Sequence, residues 1–235
     1  MSSFALALSA FVLIHVGISA TGLRRTLVAG MGEGAYRIAF SIVSLGLLVW
    51  LIHAYGAMRS DPFDPLTWPL WAPPDWLRGP AMGLIVLGVV LAVAGVLTPG
   101  PTYAGFERSV ANADAAHGVL RITRHPFLWG VAFWAAGHAL VNGERFALML
   151  FGGLGLMVVL GTRSIDRKGR ARNPEAWANF EEVTSNLPFA AITQGRNKLV
   201  LGEMWWRVLL GVGVCAAIVF YHGAAIGVSV LSTAP

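Results

Sequence analysis

Six stretches of the chain are almost wholly apolar: Ser2–Gly22, Ile38–Ala57, Ala81–Thr98, Phe127–Val141, Phe146–Leu160 and Trp206–Val228. A helix needs ~20 apolar residues to cross the hydrocarbon of a bilayer. The pattern therefore predicts an all-α, polytopic membrane bundle of about six transmembrane helices. Two stretches are short. They are joined by the polar turn "NGER", which reads as a helical hairpin whose helices run a little beyond these limits. Polar residues concentrate in two long segments, 99–124 and 163–205. In the second, Asn173 and Pro174 predict the cap and first turn of a short helix. Trp177 and Phe180 share one face of it, and Pro188 ends it.

Composition agrees with this pattern. Of 235 residues, 56% are apolar and only 12% charged, against roughly a quarter charged in soluble proteins. One membrane domain spanning residues 1–235 is the expected organisation, without internal repeats. The single cysteine, Cys215, lies in the last apolar stretch, so neither a disulfide framework nor a cysteine-rich metal site is available. It reads as a small buried filler.

The net charge of +5 is a topology signal and does not point to nucleic acid. With six spans, the first, third and fifth loops hold 14 lysines and arginines and the other two loops hold 3. The basic loops are expected in the cytoplasm, with both termini outside, as in a bacterial inner membrane. Met1–Ser3 carries no basic side chain and no clear cleavage site precedes Gly22, so the first stretch reads as a retained span. On the outer side, "DPFDPLTWPLWAPPDWL" sets Trp68, Trp71 and Trp76 among prolines that exclude regular structure. It is expected to lie at the level of the headgroups.

None of the twelve acidic residues lies inside a span, which leaves histidine as the ionisable type there. At ~1.5 Å per residue, His15 lies about 10 Å and His138 about 18 Å from the cytoplasmic ends of their helices. His53 and His222 fall near the outer ends, and His117 and His125 near the cytoplasmic mouth of the fourth span. A mid-membrane imidazole needs a partner. One answer is a hydrogen bond to a neighbouring helix. The other is a shared ligand such as haem, for which Gly17 and Gly137 leave room beside two axial imidazoles. At the mouth, a helical "HGVLRITRH" places His117, Arg121 and His125 on one face with Arg124 adjacent, a cluster suited to an anion or to lipid headgroups. Gly83, Gly88, Gly95, Gly152, Gly153 and Gly155 read as close helix packing.

The segments "HVGISATGLR", "GEGAYRIAFSIVS", "GVLRITRHPFLWG" with "GHALVNG", and "TSNLPFAAITQGRNKL" together resemble the NnrU family of bacterial membrane proteins. They are also similar to the related 15-cis-zeta-carotene isomerases. The resemblance covers almost the whole chain and implies a haem b protein that isomerises a polyene without net oxidation, or redox or nitric oxide chemistry linked to denitrification. It implies His15 and His138 as axial ligands, with Arg121, Arg124 and His125 near the propionates. Where the isomerases carry a cysteine three residues before the second histidine, this chain has Ala135, which puts ligand switching in doubt. "RITRHP" is also similar to the cofactor motif of isoprenylcysteine carboxyl methyltransferases. That alternative implies an S-adenosylmethionine pocket at Arg124, His125 and Pro126. A third alternative is an assembly factor for denitrification enzymes.

Overall fold

The structure, a computed structural model, describes residues 2–18, 21–112, 114–228 and 230. It is all-α, and each predicted apolar stretch is helical. Helix α1 (Ser3–Leu13) continues as a π-helical turn, Ile14–Ile18, that carries His15. Ser19 and Ala20, within the span predicted over Ser2–Gly22, lie outside the described residues. Next come α2 (Leu23–Met31), α3 (Glu33–Arg59), α4 (Arg78–Val96), α5 (Pro126–Val141), α6 (Arg145–Arg172), α7 (Pro174–Val183), α8 (Ala190–Thr193) and α9 (Trp205–Ile226).

Four helices, α3, α4, α6 and α9, are long and apolar enough to span by themselves, and α1 with α2 makes a fifth if the bent pair is one span. The sixth predicted span, α5, has 16 residues, about 24 Å at 1.5 Å each. It does not extend past Val141, because Asn142 leaves the helix at φ −120° and ψ 115°. Its partner α6 instead runs 28 residues to Arg172, well beyond the expected end at Leu160. The first part of the predicted cytoplasmic loop is therefore a helical extension that projects from the bundle and carries Asp166.

Helix α4 lies in the middle, packed on α5 and on α9. Glycines bring α4 and α5 together backbone to backbone. A Cβ on Gly88 would sit 2.6 Å from the Gly130 carbonyl oxygen, one on Gly130 2.5 Å from the Ala92 nitrogen, and one on Gly95 2.7 Å from the Phe127 nitrogen. Gly83 and Gly152, expected to pack in the same way, meet nothing within 4 Å.

On the other side, α1 packs against α3 and α6 through Phe4, Ala7, Leu8, Phe11, Leu51, Met58 and Phe146. The outward faces are apolar: Ile38, Ile42, Leu45 and Ile52 of α3, and Leu209 and Phe220 of α9, are exposed. An apolar surface this extensive requires a lipid surround. Helix α7 forms as predicted, with Asn173 capping the Ala176 N–H, but it ends at Val183, before Pro188. Trp177 and Phe180 are buried together against Val110 and Ala115.

Candidate functional site

The two mid-membrane histidines share one local device. His15 donates Nδ1–H to the Phe11 carbonyl at 2.7 Å, and His138 donates Nδ1–H to the Trp134 carbonyl at 2.9 Å. A carbonyl only accepts, so the contact fixes the Nδ1–H tautomer and leaves a lone pair on Nε2. Neither Nε2 has a hydrogen-bond partner among the described residues. Both rings are half-buried among aromatics. His15 lies against Phe11 and Phe40, and His138 against Trp134 and, stacked at 4.8 Å, Phe151.

These histidines sit on helices that flank α6 without closing on each other. Helix α1 covers the α6 face bearing Phe146, Leu150 and Leu154. Helix α5 covers the neighbouring face, where Ala135 packs with Ala147 and Phe151. No direct contact joins His15 and His138 among the described residues. Gly17 has open space around its Cα, as a flat ligand would need, whereas Gly137 is pressed against Ala81 and Ile85 of α4 and leaves no room.

The cytoplasmic mouth departs from the predicted helix. "HGVLRITRH" contains only the 3-10 turn Gly118–Arg121, with Gly118 at φ 53° and His125 held at φ −124° and ψ 54° ahead of Pro126. A positive φ at Gly118 and the proline after His125 are both incompatible with a continuous helix. His117, Arg121 and His125 consequently go to different places. His117 donates Nδ1–H to the Asp114 carbonyl. Arg121 makes a two-point pair with Glu203 at 2.8 and 2.9 Å and a third bond to Asn197.

Arg124 and His125 instead meet on one carboxylate. Arg124 makes a two-point pair with Asp166 at 3.0 and 2.7 Å and a further bond to Glu181 at 3.0 Å. His125 bonds Asp166 through Nε2 at 2.7 Å. Asn186 completes the set, donating to Asp166 at 3.1 Å and accepting from the Trp129 indole at 3.2 Å. The cluster is dry, with Arg124, His125 and Asp166 only 6%, 2% and 4% exposed. Burial pushes the His125 imidazole below its ordinary pKa, and the Asp166 carboxylate offsets part of that. The ring donates Nε2–H to Asp166, and its buried Nδ1 has no hydrogen-bond partner among the described residues.

A propionate at this mouth would have to displace Asp166, Glu181 or Glu203, and a methyl donor would have to open a cluster that is already buried and paired. The residues that close it were invisible to motif reading. One signal existed: Asp166 is the lone carboxylate in the basic run "RSIDRKGRAR". Backbone bonds join the two quoted motifs around this cluster. The Arg124 N–H reaches the Ser185 carbonyl, the Phe189 N–H reaches the Ile122 carbonyl, and the Thr123 hydroxyl reaches the Asn186 carbonyl. "RITRHP" and "TSNLPF" are two halves of one structure.

The NnrU protein family model matches residues 3–230, nearly the full chain and both halves of this joint. The chain belongs to the NnrU family. Among curated relatives, the chloroplastic 15-cis-zeta-carotene isomerase of Zea mays is 29% identical over 198 residues, covering 80% of this chain and 50% of that protein. The Arabidopsis thaliana protein of the same name is 28% identical over 201 residues, covering 84% and 51%. The chain thus spans about half the length of the curated relatives it matches. No solved structure matches it.

Proposed function

We propose that this NnrU-family chain binds haem b between α1 and α5, where His15 and His138 would hold the iron. We further propose that it performs isomerase-like or redox-linked chemistry on a polyene or a small gaseous ligand such as nitric oxide. One observation carries the reading: each imidazole spends Nδ1–H on the carbonyl one turn earlier and keeps its Nε2 lone pair. A histidine whose second nitrogen is tied down has one tautomer and a fixed ring orientation, as metal ligation requires. The surroundings fit a flat apolar macrocycle, since Phe11, Phe40, Trp134 and Phe151 wall the two rings.

Bound there, haem supplies an iron whose oxidation state sets how much electron density it lends to a conjugated ligand. The protein's part is positional. Aromatic walls exclude water from the two imidazoles, and the close α4–α5 packing fixes the level of His138. The name of the curated relatives supports the isomerase class. Ala135 in place of a cysteine leaves these two histidines as the chain's ligand set. Arg121, Arg124 and His125 keep their carboxylate partners in this reading and serve the joint between motifs. The basic loops face the cytoplasm of a bacterial inner membrane, in line with their excess of lysine and arginine.

The test is an absorbance spectrum of detergent-purified protein from haem-supplemented cells. Wild type is expected to show a Soret band that His15→Ala or His138→Ala shifts or removes, while His53→Ala, on the exposed face of α3, leaves it unchanged. A wild-type protein without the band after supplementation overturns the reading.

A further inference from the structure

At the end of the bundle away from the basic segments lies an open cleft of about 370 Å³. Its walls include Tyr55, Arg59, Trp68, Asn142, Glu144 and Phe146. The cleft is built by docking the tryptophan-rich loop onto the turn between α5 and α6. The Leu70 N–H bonds the Gly143 carbonyl at 2.8 Å, and the Arg145 guanidinium bonds the Pro65 carbonyl at 3.0 Å. Gly143 is required there, because a Cβ would collide with the Trp71 carbonyl oxygen.

Two opposite charges line this cleft without neutralising each other. Among the described residues, Arg59 bonds only the carbonyls of Ile226 and Gly227, and the Glu144 carboxylate has neither a hydrogen bond nor an ion pair. Elsewhere the chain pairs such groups closely, as in Arg121 with Glu203 and Arg124 with Asp166. A cleft that presents a cation and an anion with no ion pair among the described residues is complementary to a zwitterion. Its depth narrows the choice. Trp68 and Trp76 of the same loop are 53% and 73% exposed, placing the cleft at the aromatic belt where headgroups lie. Its inner wall, Phe146 and Tyr55, packs on Phe4 of the closed apolar core, so the cleft holds a headgroup and leaves the acyl chains to the bilayer.

We propose that this cleft binds the headgroup of a zwitterionic phospholipid carrying a primary ammonium, its phosphate on Arg59 and its ammonium on Glu144. A primary ammonium offers N–H donors to the carboxylate, which a quaternary one lacks. The site is independent of haem and involves neither proposed axial ligand.

The experiment uses full-length, delipidated protein in detergent. Phosphatidylethanolamine, phosphatidylcholine and phosphatidylglycerol with identical acyl chains are compared by adducts retained in native mass spectrometry. Wild type is expected to retain phosphatidylethanolamine about tenfold better than either competitor, the worth of one charge-assisted hydrogen bond. Glu144→Gln is expected to erase its advantage over phosphatidylcholine, and Arg59→Gln to weaken both equally. Equal retention of phosphatidylethanolamine and phosphatidylglycerol by wild type, which needs no variant, overturns the proposal. So does unchanged retention in both variants. Displacement of the lipid by an equal concentration of soluble glycerophosphoethanolamine assigns the cleft to a free zwitterion and overturns the lipid assignment. Retention by His138→Ala separates this outcome from any failure of the haem reading.

Discussion

At the scale of single residues, the contrast between Asp166 and Glu203 shows how burial decides the worth of an ion pair. Asp166 is buried and holds Arg124, His125 and Asn186 at once. Asp166→Ala leaves a guanidinium dry and half-partnered, a situation that costs ~3–5 kcal/mol. Thermal unfolding in detergent is expected to show a large loss of stability for Asp166→Ala, and a smaller one for Arg170→Ala, whose bond to Glu181 is exposed. Glu203 is a third exposed, and its bonds to Arg121 and to the Gly118 N–H hold its carboxyl at about 2, below the ordinary 4.5. A depressed acid contributes stability that is fully present above 4.5 and is lost as pH falls toward 2. Glu203→Gln is therefore expected to flatten the melting temperature across that window and to leave the slope at neutral pH unchanged. Of these site residues, His15 and His138 were legible in the sequence because ionisable types are rare inside a membrane, and Arg121, Arg124 and His125 because they cluster ahead of Pro126. Their partners were not, since Asp166, Glu181 and Glu203 lie 42, 57 and 82 positions from the groups they bind. Only the fold brings such distances together.

At the scale of elements, apolar patterning located the helices well, and glycine spacing located their contacts only in part. Hydropathy reports what lies in hydrocarbon, so it placed α3, α4 and α9 closely. It also cut α6 at Leu160, because the remaining turns are charged and lie outside the bilayer. The helical reading of "HGVLRITRH" failed for a related reason: charge spacing suggested a shared face, while Gly118 and the constraint of Pro126 on His125 broke the backbone. Among the glycines, sequence alone did not separate Gly88 from Gly83, since both sit in apolar surroundings. Their structural difference makes a prediction. A methyl group on Gly88 must push α4 off the Trp134 backbone, 2.5 Å away, at a cost of about 1–3 kcal/mol or more for an overpacked contact. Gly88→Ala is expected to lower the melting temperature and, if haem binds as proposed, to weaken its retention by tilting α5. Gly83→Ala, with nothing within 4 Å, is expected to be neutral in both measurements.

At the scale of the whole molecule, charge and packing divide the bundle into two unlike ends. One end gathers the extension of α6, α7 and the "TSNLPF" segment into a buried polar joint, edged by Arg163, Arg167, Lys168, Arg170 and Arg172. The other is closed by a proline- and tryptophan-rich loop with few cations. Basic loops resist translocation, so the proposed orientation sets the two ends on opposite sides of the membrane, and it needs an even number of crossings to put both termini with the tryptophan loop. That count depends on α5, which at 16 residues falls short of the ~20 that cross unaided. In the proposed six-span arrangement α5 would reach through because it is sheathed: α4 and α6 cover its flanks, and the polar joint lies at its start while the docked loop lies at its end. A short helix surrounded by protein need not match the bilayer thickness. Single cysteines placed at Thr67 and Gln194 in a Cys215→Ala background test the arrangement. An impermeant maleimide is expected to label the Thr67 position on intact cells and the Gln194 position only after permeabilisation. Labelling of both positions on intact cells would mean an even number of crossings between them, so that one of α4, α5 and α6 fails to cross, and would overturn the six-span arrangement.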